Sequence, residues 1–105
     1  MRPQTHTTDS TKPEDTLMPS EFEVCDLLVK GLNCKQSGRE LGRSANSVTV
    51  DIKHAMQKMG MENRVMLALR FTEKYPDEAS RREGYRDACV RVIQSLKARR
   101  RMRRG

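Results

Sequence analysis

The sequence predicts an all-α protein, and three observations carry that prediction. Apolar residues recur at spacings of three and four along successive segments. Cap-forming Ser and Asn residues open several of these segments, and glycine or proline closes them. A hydrophobic fraction of 35% without tryptophan, in 105 residues, limits the chain to one small domain whose modest core suits short helices.

Residues 1–16, MRPQTHTTDSTKPEDT, hold almost nothing apolar and are expected to form a disordered tail. The pattern changes at Leu17. The first helix should open at PSEFEV, with Pro19 in its first turn and Ser20 and Glu23 at capping-box spacing. Val24, Cys25, Leu28 and Leu32 give it one apolar face, and Gly31 ends it.

A short second helix follows, CKQSGREL, with Asn33 as N-cap and Gln36 as its capping-box partner. Gly38 costs that helix up to about 1 kcal/mol relative to alanine, which is explicable if another helix must come close. Gly42 can supply a left-handed turn residue.

Ser44 caps a third helix running to about Met59, stopped by Gly60. A fourth, about Asn63 to Tyr75, carries Val65, Leu67, Ala68, Leu69, Phe71 and Thr72 before Pro76 breaks it. A last helix is expected from about Glu78 to Lys97, with Tyr85, Ala88, Cys89, Val92 and Leu96 as a narrow stripe that must bury against something. Short helices joined by a tight glycine turn fit a helix-turn-helix better than a long bundle. The chain thus divides into a tail (1–16), a four-helix domain (17–76) and an amphipathic helix with a basic end (77–105).

Charge narrows the function classes. The net charge is +7, and residues 77–105 alone carry +6. Such a block implies either a polyanionic partner or a solvated tail. No run approaches a membrane span, and no signal-peptide core is present, so a cytoplasmic protein is expected. Cys25, Cys34 and Cys89 lack the spacing of a disulfide framework or a zinc site, and His6 and His54 are too isolated to suggest a metal. No nucleophile–base set or phosphate loop is visible, so neither enzymatic chemistry nor a cofactor is expected.

The third helix has two faces. At 100° per residue, Val48, Ile52, Ala55, Met56 and Met59 cluster as a core face. Opposite lie Asn46, Val50, Lys53, His54 and Gln57, flanked by Thr49 and Asp51. Lys53 can donate to guanine acceptors or phosphate; Asn46, Thr49 and Gln57 can pair with base edges or backbone oxygens; an outward valine suits a thymine methyl. Periodicity alone leaves a base-reading face and a solvated helix back equally open.

The order of residues then shows a resemblance. From Leu17 to Val65 the chain resembles the DNA-binding domain of LuxR/FixJ (GerE-type) bacterial regulators. Leu17, Glu21, Glu23, Val24, Leu27, Gly31, Lys35, Leu41, Ser44, Val48, Lys58, Gly60 and Arg64 match in register without a gap, over about half the chain. The resemblance implies that the third helix enters the major groove of double-stranded DNA while the second crosses the backbone. Thr49, Val50 and Lys53 then stand closest to the bases, with Lys35, Arg43, Asn46, His54, Gln57 and Lys58 as phosphate or flanking contacts. It implies a homodimer through Val65, Leu69 and Thr72 of the fourth helix, and association with the nucleoid when bound to DNA. Thr49 and Asp51 stand where the family usually has lysine and histidine. Asp51 either lies near phosphate or bonds Lys35 or Arg39, and Ser37 and Gly38 are expected to thin the packing between the motif helices.

The expected protein is a stand-alone regulator of this type. The alternative is an anti-activator that sequesters another transcription regulator through this surface or the last helix. RNA polymerase is a further partner of the same kind.

Overall fold

Five helices make up the described part of the chain: α1 (Pro19–Val29), α2 (Cys34–Leu41), α3 (Ala45–Met59), α4 (Arg64–Lys74) and α5 (Glu78–Arg104). The structure is a computed structural model that describes the backbone of residues 17–104 and the side chains as far as residue 100. The tail expected over residues 1–16 lies outside the described residues. The predicted all-α architecture holds. No helix among the described residues is long and apolar enough to cross a membrane.

Local chemistry accounts for most helix boundaries. Asn33 and Gln36 form the predicted capping box of α2: the Asn33 side chain accepts from the Gln36 N–H at 2.8 Å, and Gln36 accepts from the Asn33 N–H at 2.9 Å. Ser44 caps α3 by accepting from the Ser47 N–H, and Asn63 caps α4 by accepting from Met66. Gly42 (φ +66°) and Gly60 (φ +68°) end α2 and α3 in the left-handed region, where glycine carries no steric penalty. At α5 the Asp77 carboxylate accepts from the Ser80 N–H at 2.7 Å.

Two boundaries differ from the prediction. Ser20 and Glu23 do not form the box of α1, because the N-cap is Met18, two residues earlier, and Ser20 lies inside the helix; Glu21 instead accepts from the Met18 N–H at 2.9 Å. And α5 runs seven residues beyond Lys97, to Arg104, since nothing in KARRRMRR interrupts a helix.

The core is built around Phe22. Its ring lies edge-on to Phe71 and Tyr75, with centroids 4.8 Å from each. Val24 and Cys25 of α1, Val48, Ile52, Ala55 and Met59 of α3, and Leu67 and Phe71 of α4 complete it. Burying Phe22 and Phe71 stabilises the fold by about 1.5–3 kcal/mol each. Burial first, then the nearby Glu21 and Asp26 carboxylates, push the Cys25 thiol up to about 12, so it behaves as an apolar filler.

Two glycines mark close approaches. A Cβ on Gly38 would stand 2.5 Å from the Arg43 carbonyl oxygen, with the Ser44 and Ala45 backbone close behind. Ser37 and Gly38 are both buried, so the expected thinning between α2 and α3 does not occur: the small residues let the turn close tightly. A Cβ on Gly84 would stand 2.6 Å from both Phe22 and Tyr75 ring atoms. This lets α5 lie against α1, where Ala88 is also buried. Arg91 donates to the Leu17 carbonyl at 2.8 Å, and Arg81 pairs with Asp26 at 2.6 Å. The first half of the expected α5 stripe therefore packs on its own domain, while Leu96 remains exposed.

Candidate nucleic-acid interface

The α3 helix is held on three sides and open on the fourth. Val48, Ile52, Ala55 and Met59 sink into the core. One flank faces α2, where the Thr49 hydroxyl donates to the Ala45 carbonyl at 3.0 Å and contacts Cys34 Sγ at 3.4 Å. The other faces α1. There Lys58 Nζ lies 2.7 Å from Glu21 Oε1, and His54 Nδ1 lies 3.6 Å from Glu21 Oε2. Glu21 is buried and sits at the positive N-terminal end of α1, while Lys58 sits at the negative C-terminal end of α3, so each charge also opposes a helix dipole.

Asp51 does not bond Lys35 or Arg39. Its carboxylate accepts from Arg43, whose same terminal nitrogen also donates to the Ser47 carbonyl at 3.2 Å. Arg43 precedes the α3 cap and Asp51 lies two turns into the helix, so the pair ties the turn to the helix it introduces. The acid that looked misplaced for DNA contact is neutralised from inside the fold.

Nor is His54 isolated. Glu21, Asp51 and His54 bring ligand-type atoms within 4.8 Å of one another. Both carboxylates already have cationic partners, Lys58 for Glu21 and Arg43 for Asp51. That arrangement is complete as an ion-pair cluster.

The nine residues singled out for DNA contact therefore fall into two groups. Asn46, Val50, Lys53 and Gln57 line the open face of α3, and Lys35 is exposed on α2. Val50 is 48% exposed, an apolar group in water. Lys35 and Lys53 have no ion-pair partner among the described residues. Thr49, Arg43, His54 and Lys58 instead have polar partners within the domain, although the His54 side chain stays half exposed. Arg39, expected from the sequence only as a partner for Asp51, is instead exposed on α2 and unpaired among the described residues; its place in the last turn of α2 was the available signal for a cation beside Lys35.

The open face is not covered by α5, which packs on α1. A helix face carrying the Lys53 ammonium, unpaired among the described residues, two amide side chains and an exposed valine, with further cations on the preceding helix, can meet both phosphate oxygens and base edges.

On α4, Val65 is 69% and Leu69 58% exposed, and Thr72 is exposed beside them. With Leu28, Val29 and Ala68 they border a shallow, mostly apolar groove between α1 and α4. Thr72 donates its hydroxyl to the Ala68 carbonyl, leaving its methyl-bearing side chain without a free donor.

Residues 15–71, more than half of the chain, match the profile of the family described as bacterial regulatory proteins, luxR family. No curated protein and no solved structure matches the chain.

Proposed function

The chain belongs to the LuxR family of bacterial regulatory proteins, a family of DNA-binding transcription regulators, and from that premise we propose that it reads duplex DNA with the open face of α3. Lys53 and Val50 meet base edges at the centre of that face. Asn46 and Gln57 serve its two ends, and Lys35 on α2 holds the backbone. The observation that carries this reading is the set Asn46, Val50, Lys53 and Gln57, exposed and unpaired among the described residues, on a helix whose other sides are secured.

Arg43, Thr49, His54 and Lys58 take a supporting part. They hold the reading helix against α1 and α2 through their contacts with Glu21, Asp51 and Cys34. Two copies join through the Val65, Leu69 and Thr72 surface of α4, placing two reading helices across a two-fold axis.

Selection of bound duplexes from a random pool, followed by gel-shift titration, tests the reading. Lys53→Ala is expected to cost about 1–3 kcal/mol and relax preference at one position. Unchanged sequence preference in both Lys53→Ala and Val50→Ala would remove α3 as the reading helix.

One observation favours a second reading, an anti-activator that sequesters another regulator. The Arg43 and Lys58 cations are engaged with carboxylates, which lowers the free positive charge beside α3. That reading predicts weak DNA binding without sequence preference in the same selection, together with a stoichiometric complex with a regulator.

A further inference from the structure

The second half of α5 carries an apolar face that the domain leaves uncovered. Ile93 is 51% and Leu96 52% exposed, and Cys89 and Val92 beside them are only partly buried. At 100° per residue, Cys89, Val92, Ile93 and Leu96 all fall within about a third of the helix circumference. Next to them a groove opens between α5 and the entry to α1, bordered by Leu17, Met18, Val92 and Leu96.

Charge surrounds this face unevenly. At 100° per residue, Arg82 and Arg100 lie in line with the apolar strip at its two ends, Arg86 and Lys97 along one side and Arg99 along the other. All five are exposed. Glu83 and Asp87 fall on the opposite side of the helix, and no acid follows Asp87. The result is an apolar strip inside a cationic rim.

That combination decides among occupants. Residues 1–16 hold no large apolar side chain apart from Met1, so that segment has nothing to fill the strip. A second copy would bring the same arginine rim against itself in either orientation, and like charges at flanking positions oppose helix pairing. Nucleic acid would satisfy the arginines and leave Ile93 and Leu96 in water. A helix with an apolar stripe and acidic flanks satisfies both.

We infer that the Cys89–Leu96 face of α5 is a docking surface for an acidic amphipathic helix of another protein. The apolar stripe of the partner lies along Val92, Ile93 and Leu96 and reaches into the groove beside Met18. Its carboxylates face Arg86, Lys97, Arg99 and Arg100. This surface lies on a different helix from the DNA-reading face and from the α4 groove, so docking leaves both open.

The test uses a fluorescein-labelled synthetic helix, 21 residues long, with leucine at heptad positions a and d and glutamate at e and g. The glutamates keep the peptide itself monomeric at neutral pH. Anisotropy titration of the full chain is expected to show saturable binding. A peptide with lysine at e and g, and one with serine replacing leucine at unchanged charge, should each bind at least about tenfold more weakly. Ile93→Glu and Leu96→Glu replace exposed residues, so circular dichroism should show a folded chain, and each should weaken the glutamate–leucine peptide about tenfold. Leu69→Glu on α4 should not affect it.

Equal binding of the serine peptide would reduce the surface to a non-specific polyanion attraction and overturn the inference. So would full peptide affinity in Ile93→Glu. A halved molar mass of Ile93→Glu by light scattering would identify a second copy as the occupant, and a parallel loss of duplex affinity would identify DNA. Either result overturns it too.

Discussion

The guanidinium of Arg43 and the carboxylate of Asp51 form an ion pair across the turn of the helix-turn-helix, and both side chains are largely shielded from solvent. The same guanidinium reaches the Ser47 carbonyl, so the N-terminal turns of α3 are braced by a residue that precedes the helix. Removing Asp51 releases that brace and, at the same time, releases a cation beside the open face of α3. Asp51→Asn is therefore expected to lower stability by about 1–2 kcal/mol in denaturant unfolding. It is also expected to tighten duplex binding and to steepen its salt dependence by about one phosphate contact. Affinity that falls in step with stability would show that Arg43 is not freed for DNA.

The two lysines of α3 should separate stability from recognition. Lys58 contacts buried Glu21, whereas Lys53 has no partner among the described residues. Lys58→Ala is expected to destabilise the fold by about 1–3 kcal/mol, because a buried carboxylate loses its closest cation. Lys53→Ala is expected to change stability by less than about 0.5 kcal/mol. Urea unfolding of the two variants side by side checks the contrast, and equal stabilities would remove the Glu21–Lys58 contact as a structural element.

Alanine at either close-approach glycine should destabilise, against helix propensity. Propensity favours alanine over glycine by up to about 1 kcal/mol, but a Cβ at Gly38 meets backbone and a Cβ at Gly84 meets two buried rings. Overpacking of this kind costs about 1–3 kcal/mol. Gly38→Ala should also weaken duplex binding, since the obstacle is the backbone of the α2–α3 turn. Gly84→Ala should leave DNA preference intact and loosen α5. Thermal melts and gel shifts of both variants read the two effects separately, and a stabilised Gly84→Ala would mean that α5 does not sit against Phe22.

Acid should loosen the start of α5. The Ser80 backbone N–H, then its hydroxyl and Arg81, hold the Asp77 carboxyl below the usual carboxylate range. A depressed carboxyl contributes stability that is fully present above its unfolded-state value, near 3.9, and is lost as pH falls through the lower folded-state value. Asp77→Asn retains a capping side chain without the charge, so its melting temperature should vary less with pH below about 4 than that of the wild type. Parallel acid-side slopes would exclude this contribution. Glu23 acts in the opposite sense: burial raises its carboxyl although Arg43 partly offsets this, so its protonation on acidification favours the folded state.

The helices and their caps were legible because they depend on neighbours in sequence. Asn33 with Gln36, Ser44, and Gly42 each act within four residues, and each does as the spacing predicts. The open face of α3 was legible for the same reason, since a 100° step sorts Asn46, Val50, Lys53 and Gln57 from the core side without reference to any other helix. The start of α1 differs from the expected Ser20 cap by two residues, and that shift moves the carboxylate cap from Glu23 to Glu21.

What the chain's order of residues could determine by itself was the helical repertoire, the family and which side of α3 faces outward, because local periodicity, capping and motif register require no third dimension. Only tertiary structure decided which charges remain available: Arg43 meets Asp51 eight residues away, Lys58 meets Glu21 across thirty-seven, and Gly84 finds Phe22 on another helix. Ion pairs and close contacts form between groups that folding brings within a few ångströms, and a linear pattern carries no distance between its remote members.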